Sequence, residues 1–270
     1  MIINFSIGTR SYRANLSQPR DISIPLHFNG AQPSHFGAPP ASAHPLKTDN
    51  FIGSVASGGS CNVGEYRLVP HCNGTHTECV GHITREQISI HEQLLENVFP
   101  ATLISVSPVP EEETPESYLP PKEPGDMLIT AAELKQRLSG QDSSYLTALI
   151  VRTLPNDSEK SRRNYLQIPP PFFSCEAMQF INQLPVQHLL VDVPSVDRMF
   201  DEGRMTNHRQ FWNIKPGSQD TSEETFFHKT ITEMVFVSND IPDGKYLVQI
   251  QIPNFMADAA PSRVFLFKLE

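Results

Sequence analysis

The order of elements along the chain predicts an α/β fold built on a mixed β-sheet. Two observations carry it: strand and helix signals alternate through the middle of the chain, and the tail is strand alone. Asp21-Ile-Ser-Ile-Pro-Leu-His27 alternates apolar and polar residues like a strand. A long stretch rich in Pro, Gly, Ala and Ser follows from about 29 to 60, carrying His35, Phe36, His44 and Phe51. Loops of that length in compact domains are either linkers or excursions that cover a site, and the aromatics favour a covering loop. Glu65 to Pro70 reads as a strand, and the β-branched run from Ala101 to Val109 as another. A Pro/Glu-rich connection, Glu111 to Gly125, leads to Thr130-Ala-Ala-Glu133, a capping box that opens a helix through Leu138. Leu146 to Arg152 is a continuous apolar run, as a buried strand requires. Ser174 caps a helix to about Leu184, and His188 to Val193 is the next buried strand. Ile231–Val237, Tyr246–Ile252 and Val264–Leu269 complete the strands, with Pro242-Asp243-Gly244 turning between the first two.

Length and composition narrow the class. The 270 residues fit one domain, 1–270, with irregular excursions that 24 prolines support. A net charge of −9 speaks against nucleic acid as a partner, and Lys160, Arg162 and Arg163 read as a solvated loop. No window is apolar enough for a membrane span, and residues 1–20 lack the pattern of a signal peptide. The four cysteines show no disulfide spacing, so a reduced, cytoplasmic protein is expected. Gly-x-Gly-x-x-Gly, P-loop and Gly-x-Ser-x-Gly signatures are absent, as are internal repeats.

The chemistry concentrates in His71-Cys-Asn-Gly-Thr-His-Thr-Glu-Cys-Val-Gly-His82. In an extended segment, Cys72, His76, Glu78 and His82 fall on one side, because side chains an even number of residues apart share a face. Gly74 between them would let the backbone bend or approach closely. Thiolate, imidazole and carboxylate form the donor set of a transition-metal site, zinc first. Four donors on one side outweigh the reading of a merely solvated polar loop. His71 lies one residue out of register, so spacing prefers Cys72 as the first ligand, with His71 able to replace it if the loop bulges. Further on, Glu233 stands in an otherwise apolar strand, where a carboxylate needs a partner or solvent. Asp192 and Asp197 read as residues that orient loops or neighbouring groups rather than bind metal.

With these pieces in order, the chain resembles the cyclase family of metal-dependent hydrolases, best known for the arylformamidase (kynurenine formamidase) reaction of tryptophan catabolism. The family pattern His-x-Gly-Thr-His-x-Asp-x-x-x-His is matched at Gly74, Thr75, His76 and His82, with Glu78 in the Asp position and Cys72 in that of the first His. Asp21-Ile-Ser-Ile-Pro-Leu, Ile129-Thr-Ala-Ala-Glu-Leu, Val191-Asp-Val-Pro-Ser-Val-Asp197, Asn207-His208-Arg209 and Thr232-Glu233 resemble later family segments in the same order. Val80 replaces a common Pro, and Lys215 to Glu224 reads as an insertion. The resemblance implies a barrel-like or mixed sheet with flanking helices. It makes Cys72, His76, Glu78, His208 and Glu233 metal ligands for one or two zinc ions (manganese the alternative), with Glu78 able to bridge two. It makes His82 the acid/base residue. His35 and Phe36 become the candidates for contacting an aromatic small-molecule substrate, and a homodimer or higher assembly follows. Implied chemistry is amide hydrolysis by activated water. A lactonase, dehydratase or isomerase on the same metal, or a lapsed site in a binding protein, are the rivals, since a fold does not dictate a reaction.

Overall fold

A computed structural model describes residues Met1 to Glu270. Its centre is a nine-stranded mixed sheet: β1 (Arg20–Asp21), β2 (His76–Glu78), β3 (Val98–Val106), β4 (Ala148–Thr153), β5 (His188–Val191), β6 (Thr230–Glu233), β7 (Gly244–Gln251), β8 (Ala259–Pro261) and β9 (Arg263–Lys268). The spatial order is β8-β2-β6-β5-β4-β3-β7-β9-β1, an open half-barrel with β8 and β1 as its edges. Strands β3, β4, β5 and β6 run parallel to one another, and every other pairing is antiparallel. The parallel strands follow helical crossovers, whereas the tail strands fold back through short turns.

Three helices cover one face: α1 (Ala131–Leu138), α2 (Cys175–Asn182) and α3 (Thr206–Trp212). Thr130 Oγ1 accepts from Glu133 N–H at 3.2 Å, and Ser174 Oγ accepts from Ala177 N–H at 2.9 Å, so both expected caps are formed. Leu134, Met178, Ile181, Phe211 and Trp212 pack from this layer onto Leu149, Val151, Leu189 and Ile231. On the opposite face Ile150, Leu190, Val248 and Leu266 enclose a second core. Central strand residues such as Ala148 to Val151 are buried on both faces, which explains their unbroken apolar run.

Several expectations shift. The segment 21–27 pairs only through Arg20–Asp21 and a bridge at Ser23, because Pro25 offers no N–H to a ladder. The excursion 29–60 is not featureless: Ser42–Pro45 pairs with Gly64–Arg67, and Lys47–Thr48 with Phe51–Ile52. An N-terminal hairpin, Ile2–Ile7 with Arg10–Asn15, also forms. Lys160 is buried rather than solvated. Its ammonium donates to Thr153 O at 2.6 Å and to Asp192 Oδ2 at 2.7 Å, so the charge is compensated.

Candidate metal centre

The His-rich run is not one extended segment. Pro70 opens a single helical turn, Pro70–Asn73, closed by Asn73 Oδ1 accepting from Val69 N–H at 2.7 Å. Extended strand begins only at His76 (β2), and Val80–Ile83 is a 3₁₀ turn. Side chains step round the helical turn by about 100° per residue rather than alternating, so His71 and not Cys72 faces the strand. Gly74 plays no special part: its φ of 168° is ordinary extended backbone, and a Cβ would meet nothing within 4 Å. Gly81 is the constrained glycine, because a Cβ there would lie 2.1 Å from Ile88 O.

Strands β2 and β6 set the floor. His76 and Glu233 are direct cross-strand partners, so their side chains share a face; Glu78 lies opposite Ile231 on that same face. Beyond Glu233 the chain turns at Met234, whose φ of +55° is unusual for a buried non-glycine residue. Thr75 Oγ1 donating to Met234 O and Met234 N–H donating to Val193 O hold that turn.

Helix α3 forms a wall of the site. Asp197, in the loop after β5, accepts from the backbone N–H of Asn207 at 2.6 Å and of His208 at 3.3 Å, capping a helix whose own flanking residue, Met205, offers no side-chain cap. The same carboxylate accepts from His208 Nδ1 at 2.6 Å, and Tyr118 Oη donates to it at 2.8 Å. That fixes the His208 ring with Nε2 directed at Glu78 Oε1, 3.0 Å away.

Three buried atoms in this cluster have no aligned hydrogen bond: His71 Nδ1, His76 Nε2 and Glu78 Oε2. His71 Nδ1 stands 3.0 Å from Glu78 Oε2, and His76 Nε2 stands 3.4 Å from Glu233 Oε2. Buried polar atoms left without partners are costly. Donor atoms this close yet unaligned are arranged as ligands around a common point are. Lone pairs are available in the right places, because His76 Nδ1 is spent on Gly74 O at 3.0 Å. Three overlapping sets bring their donor atoms within 4.8 Å of one another: His71, His76, Glu78; Glu78, His82, His208; and His71, His82, Asp258. Glu78 joins the first two through its two oxygens. The residues therefore fit a divalent cation.

Electrostatics agree. Burial opposes ionisation of Glu78, but the imidazoles of His82 and His208 outweigh it and hold the carboxyl well below its usual range. Burial likewise opposes charge on His208, yet Glu78 and Asp197 carry it well above the ordinary histidine value. His71 rises to about 10, with burial overcome by Asp258 and Glu78.

Of the residues expected from sequence, the structure gathers His76, Glu78, His82, His208 and Glu233. Neither Cys72 nor Glu233 belongs to the three sets, but Glu233 stands 3.4 Å from His76 Nε2 and 3.7 Å from His208 Nε2, whereas burial, reinforced by Glu233, pushes the Cys72 thiol up to about 11. His35 is buried with both ring nitrogens unpartnered, and burial together with the charge of His76 lowers it to about 4. Its ring meets Phe36 edge-on at 4.6 Å, and Phe36, half exposed, meets the exposed Phe200 at 5.9 Å. His228 lies outside the cluster, against Phe226. Asp258 had no sequence signal: it sits alone among small residues at the end of a loop, 180 residues after Glu78.

An open mixed sheet with helices on one face and a buried histidine–carboxylate cluster at one end defines a fold seen in solved structures. A protein described as a potential metal-dependent hydrolase with cyclase activity superposes with a TM-score of 0.59 at 16% identity, covering 93% of this chain and 98% of that one. A predicted metal-dependent hydrolase from Bacillus stearothermophilus gives 0.57 at 15% identity, with the same coverage. Isatin hydrolase A from Labrenzia aggregata gives 0.62 at 13% identity, covering 94% of each chain. No curated protein matches the sequence. The family model described as "Putative cyclase" matches residues 14–198, more than half of the chain, and the protein belongs to that family.

Proposed function

We propose that the protein is a metal-dependent hydrolase that cleaves amide C–N bonds, with aryl formamides as its substrate class. The observation that carries the reading is the convergence of His71 Nδ1, His76 Nε2 and Glu78 Oε2, three buried atoms without an aligned hydrogen bond. The isatin hydrolases among similar structures are in keeping with it. Zinc is the cation the donor set favours, manganese the alternative. His71, His76 and Glu78 would hold one ion, and the other oxygen of Glu78 with His208 and Glu233 would hold a second. When bound, such a cation polarises the substrate carbonyl and lowers the pKa of water from 15.7 to about 7.

The chain's own residues supply the rest. His76, Glu78, His208 and Glu233 are fully buried and keep the ligand geometry dry and rigid. His82 stands at the rim, about a quarter exposed, its Nδ1 facing Asp258 and its Nε2 3.8 Å from Glu78 Oε2. From there Nε2 takes the proton of the attacking water and returns it to the departing nitrogen. Phe36 and Phe200 offer apolar faces to an aromatic ring, and the buried His35 ring backs Phe36 edge-on. Cys72 stays a neutral thiol in this reading, and His71 takes the place that spacing had given it.

The test is a panel of formanilide, aryl formamides and lactones, assayed with metal content measured alongside. Formamide turnover abolished by a chelator and restored by zinc or manganese supports the reading. Turnover of lactones alone would replace it with a lactonase, and a protein that takes up no metal would leave only the fold. We further propose a homodimer or higher assembly, supported by Ile52, Val55, Val63 and Tyr66 exposed on the arm spanning 42–67. Light scattering that returned a 30.2 kDa particle would overturn it.

A further inference from the structure

Asp258 belongs to no motif, yet it occupies a position that links two parts of the cluster. It is the last residue before β8, which pairs with β2 so that Ala259 lies opposite Glu78 and Pro261 opposite His76. Asp258 O accepts from Cys79 N–H at 3.0 Å, fixing the backbone one residue from Glu78. Its side chain then reaches two imidazoles at once. Oδ2 is 2.9 Å from His71 Nε2 and 3.3 Å from His82 Nδ1. The two rings lie 4.2 Å apart and only 30° from parallel, each turning one nitrogen to the shared carboxylate oxygen.

The consequence follows from imidazole chemistry. In the neutral imidazole that a cation binds, a ring nitrogen that donates its proton to a carboxylate leaves the lone pair on the other nitrogen. For His71 that other nitrogen is Nδ1, the buried unpartnered atom 3.0 Å from Glu78 Oε2. For His82 it is Nε2, the atom 3.8 Å from the same oxygen. One carboxylate outside the buried floor therefore orients both rings toward the same oxygen of Glu78.

We infer that Asp258 is a positioning residue that brings His71 to the metal and His82 to the reacting atoms, one oxygen serving both rings. The placement compensates the sequence's departure from its family pattern. With Cys72 in the usual histidine position, the neighbouring His71, its side chain about a quarter exposed, takes the inward role, and Asp258 holds its ring there. The inference rests on the proposed metal site, and it predicts more than that site does. It says that metal affinity depends on a residue that is not a ligand, and does so through His71.

The test is zinc affinity, measured by competition with a chromophoric chelator, in the wild type, Asp258→Ala, Asp258→Asn, His71→Ala and the double variant Asp258→Ala/His71→Ala. Losing such an outer carboxylate lowers metal affinity about 10–100-fold, so Asp258→Ala should fall in that range. The double variant should bind no more weakly than His71→Ala alone, because the brace has nothing left to hold. Asp258→Asn keeps the shape and one acceptor oxygen, guards against a folding defect in the alanine variant, and should show a smaller loss. Unchanged affinity in both Asp258 variants, or losses that multiply in the double variant, would overturn the inference while leaving the metal site intact. A wild-type protein that binds no zinc would instead overturn the proposed function, and this inference with it.

Discussion

Cys72 and His71 show how one residue of register changes the chemistry of a site. In an extended chain Cys72 would share a face with His76 and Glu78; the helical turn begun by Pro70 presents His71 instead. The two respond differently to removal. His71→Ala should cut bound zinc sharply, whereas Cys72→Ser should leave stoichiometry unchanged, as elemental analysis of the two purified variants would show. Equal losses from both would restore the thiolate as a ligand. The proposed function makes His82, at the rim, the acid/base residue and not a ligand, although it belongs to two of the donor sets. His82→Ala should keep its metal but lose about 10²–10⁴-fold in kcat, the range for a general acid/base. Wild-type turnover in that variant would remove it from the mechanism. Glu233 stood out in the sequence as a carboxylate in an apolar strand, needing either solvent or a partner. The reason it is tolerated did not: His76 opposite, and Val196 N–H donating to its Oε1 at 2.9 Å, come from distant sequence.

Among the elements, the ones with strong local signals appear where the sequence puts them. Helix α1 starts after Thr130 because its hydroxyl caps Glu133, so Thr130→Ala should cost about 1 kcal/mol in denaturant unfolding. A loss near zero would mean that Glu116 caps the turn alone; its carboxylate accepts from the N–H groups of Ala131 and Ala132 at 2.7 and 3.0 Å. Helix α3 carried no comparable signal. Its cap is Asp197, eight residues before Met205 and separated by a loop, a contact that periodicity and capping rules do not see. The short edge strand β8 was missed for a similar reason. Ala259-Ala-Pro261 has little intrinsic strand preference, and its pairing with β2 is tertiary.

At the scale of the whole molecule, the two buried faces of the sheet make stability depend on pH through groups remote from the metal centre. His188 begins β5, 4% exposed, its Nδ1 2.8 Å from Thr230 Oγ1 and its ring 3.8 Å from that of Phe99. Burial, with a smaller push from His228, lowers it to about 4. The unfolded chain, with a histidine near 6.5, therefore binds more protons between pH 4 and 6.5. Stability from this group is complete above pH 6.5 and is lost as pH falls toward 4, about 2 kcal/mol of it by pH 5. His71 and His208, raised in the folded chain, act with the opposite sign, so the informative quantity is a difference. His188→Asn should show a shallower loss between pH 7 and 5 than the wild type in urea unfolding. Parallel curves would mean that His188 is not buried neutral.

The sequence by itself determined the mixed α/β class, the main parallel strands, two helix caps and the stretch where donors gather. These depend on local apolar periodicity and on side chains that bond their own neighbours. Tertiary structure alone decided that His71 rather than Cys72 turns toward Glu78, that Asp197 caps one helix and orients His208, and that Asp258 reaches two imidazoles. Each of those is a contact across a sheet or between a loop and a helix. Its geometry is set by strand register and by how far a turn rotates the next side chain, quantities fixed only when the whole chain has packed.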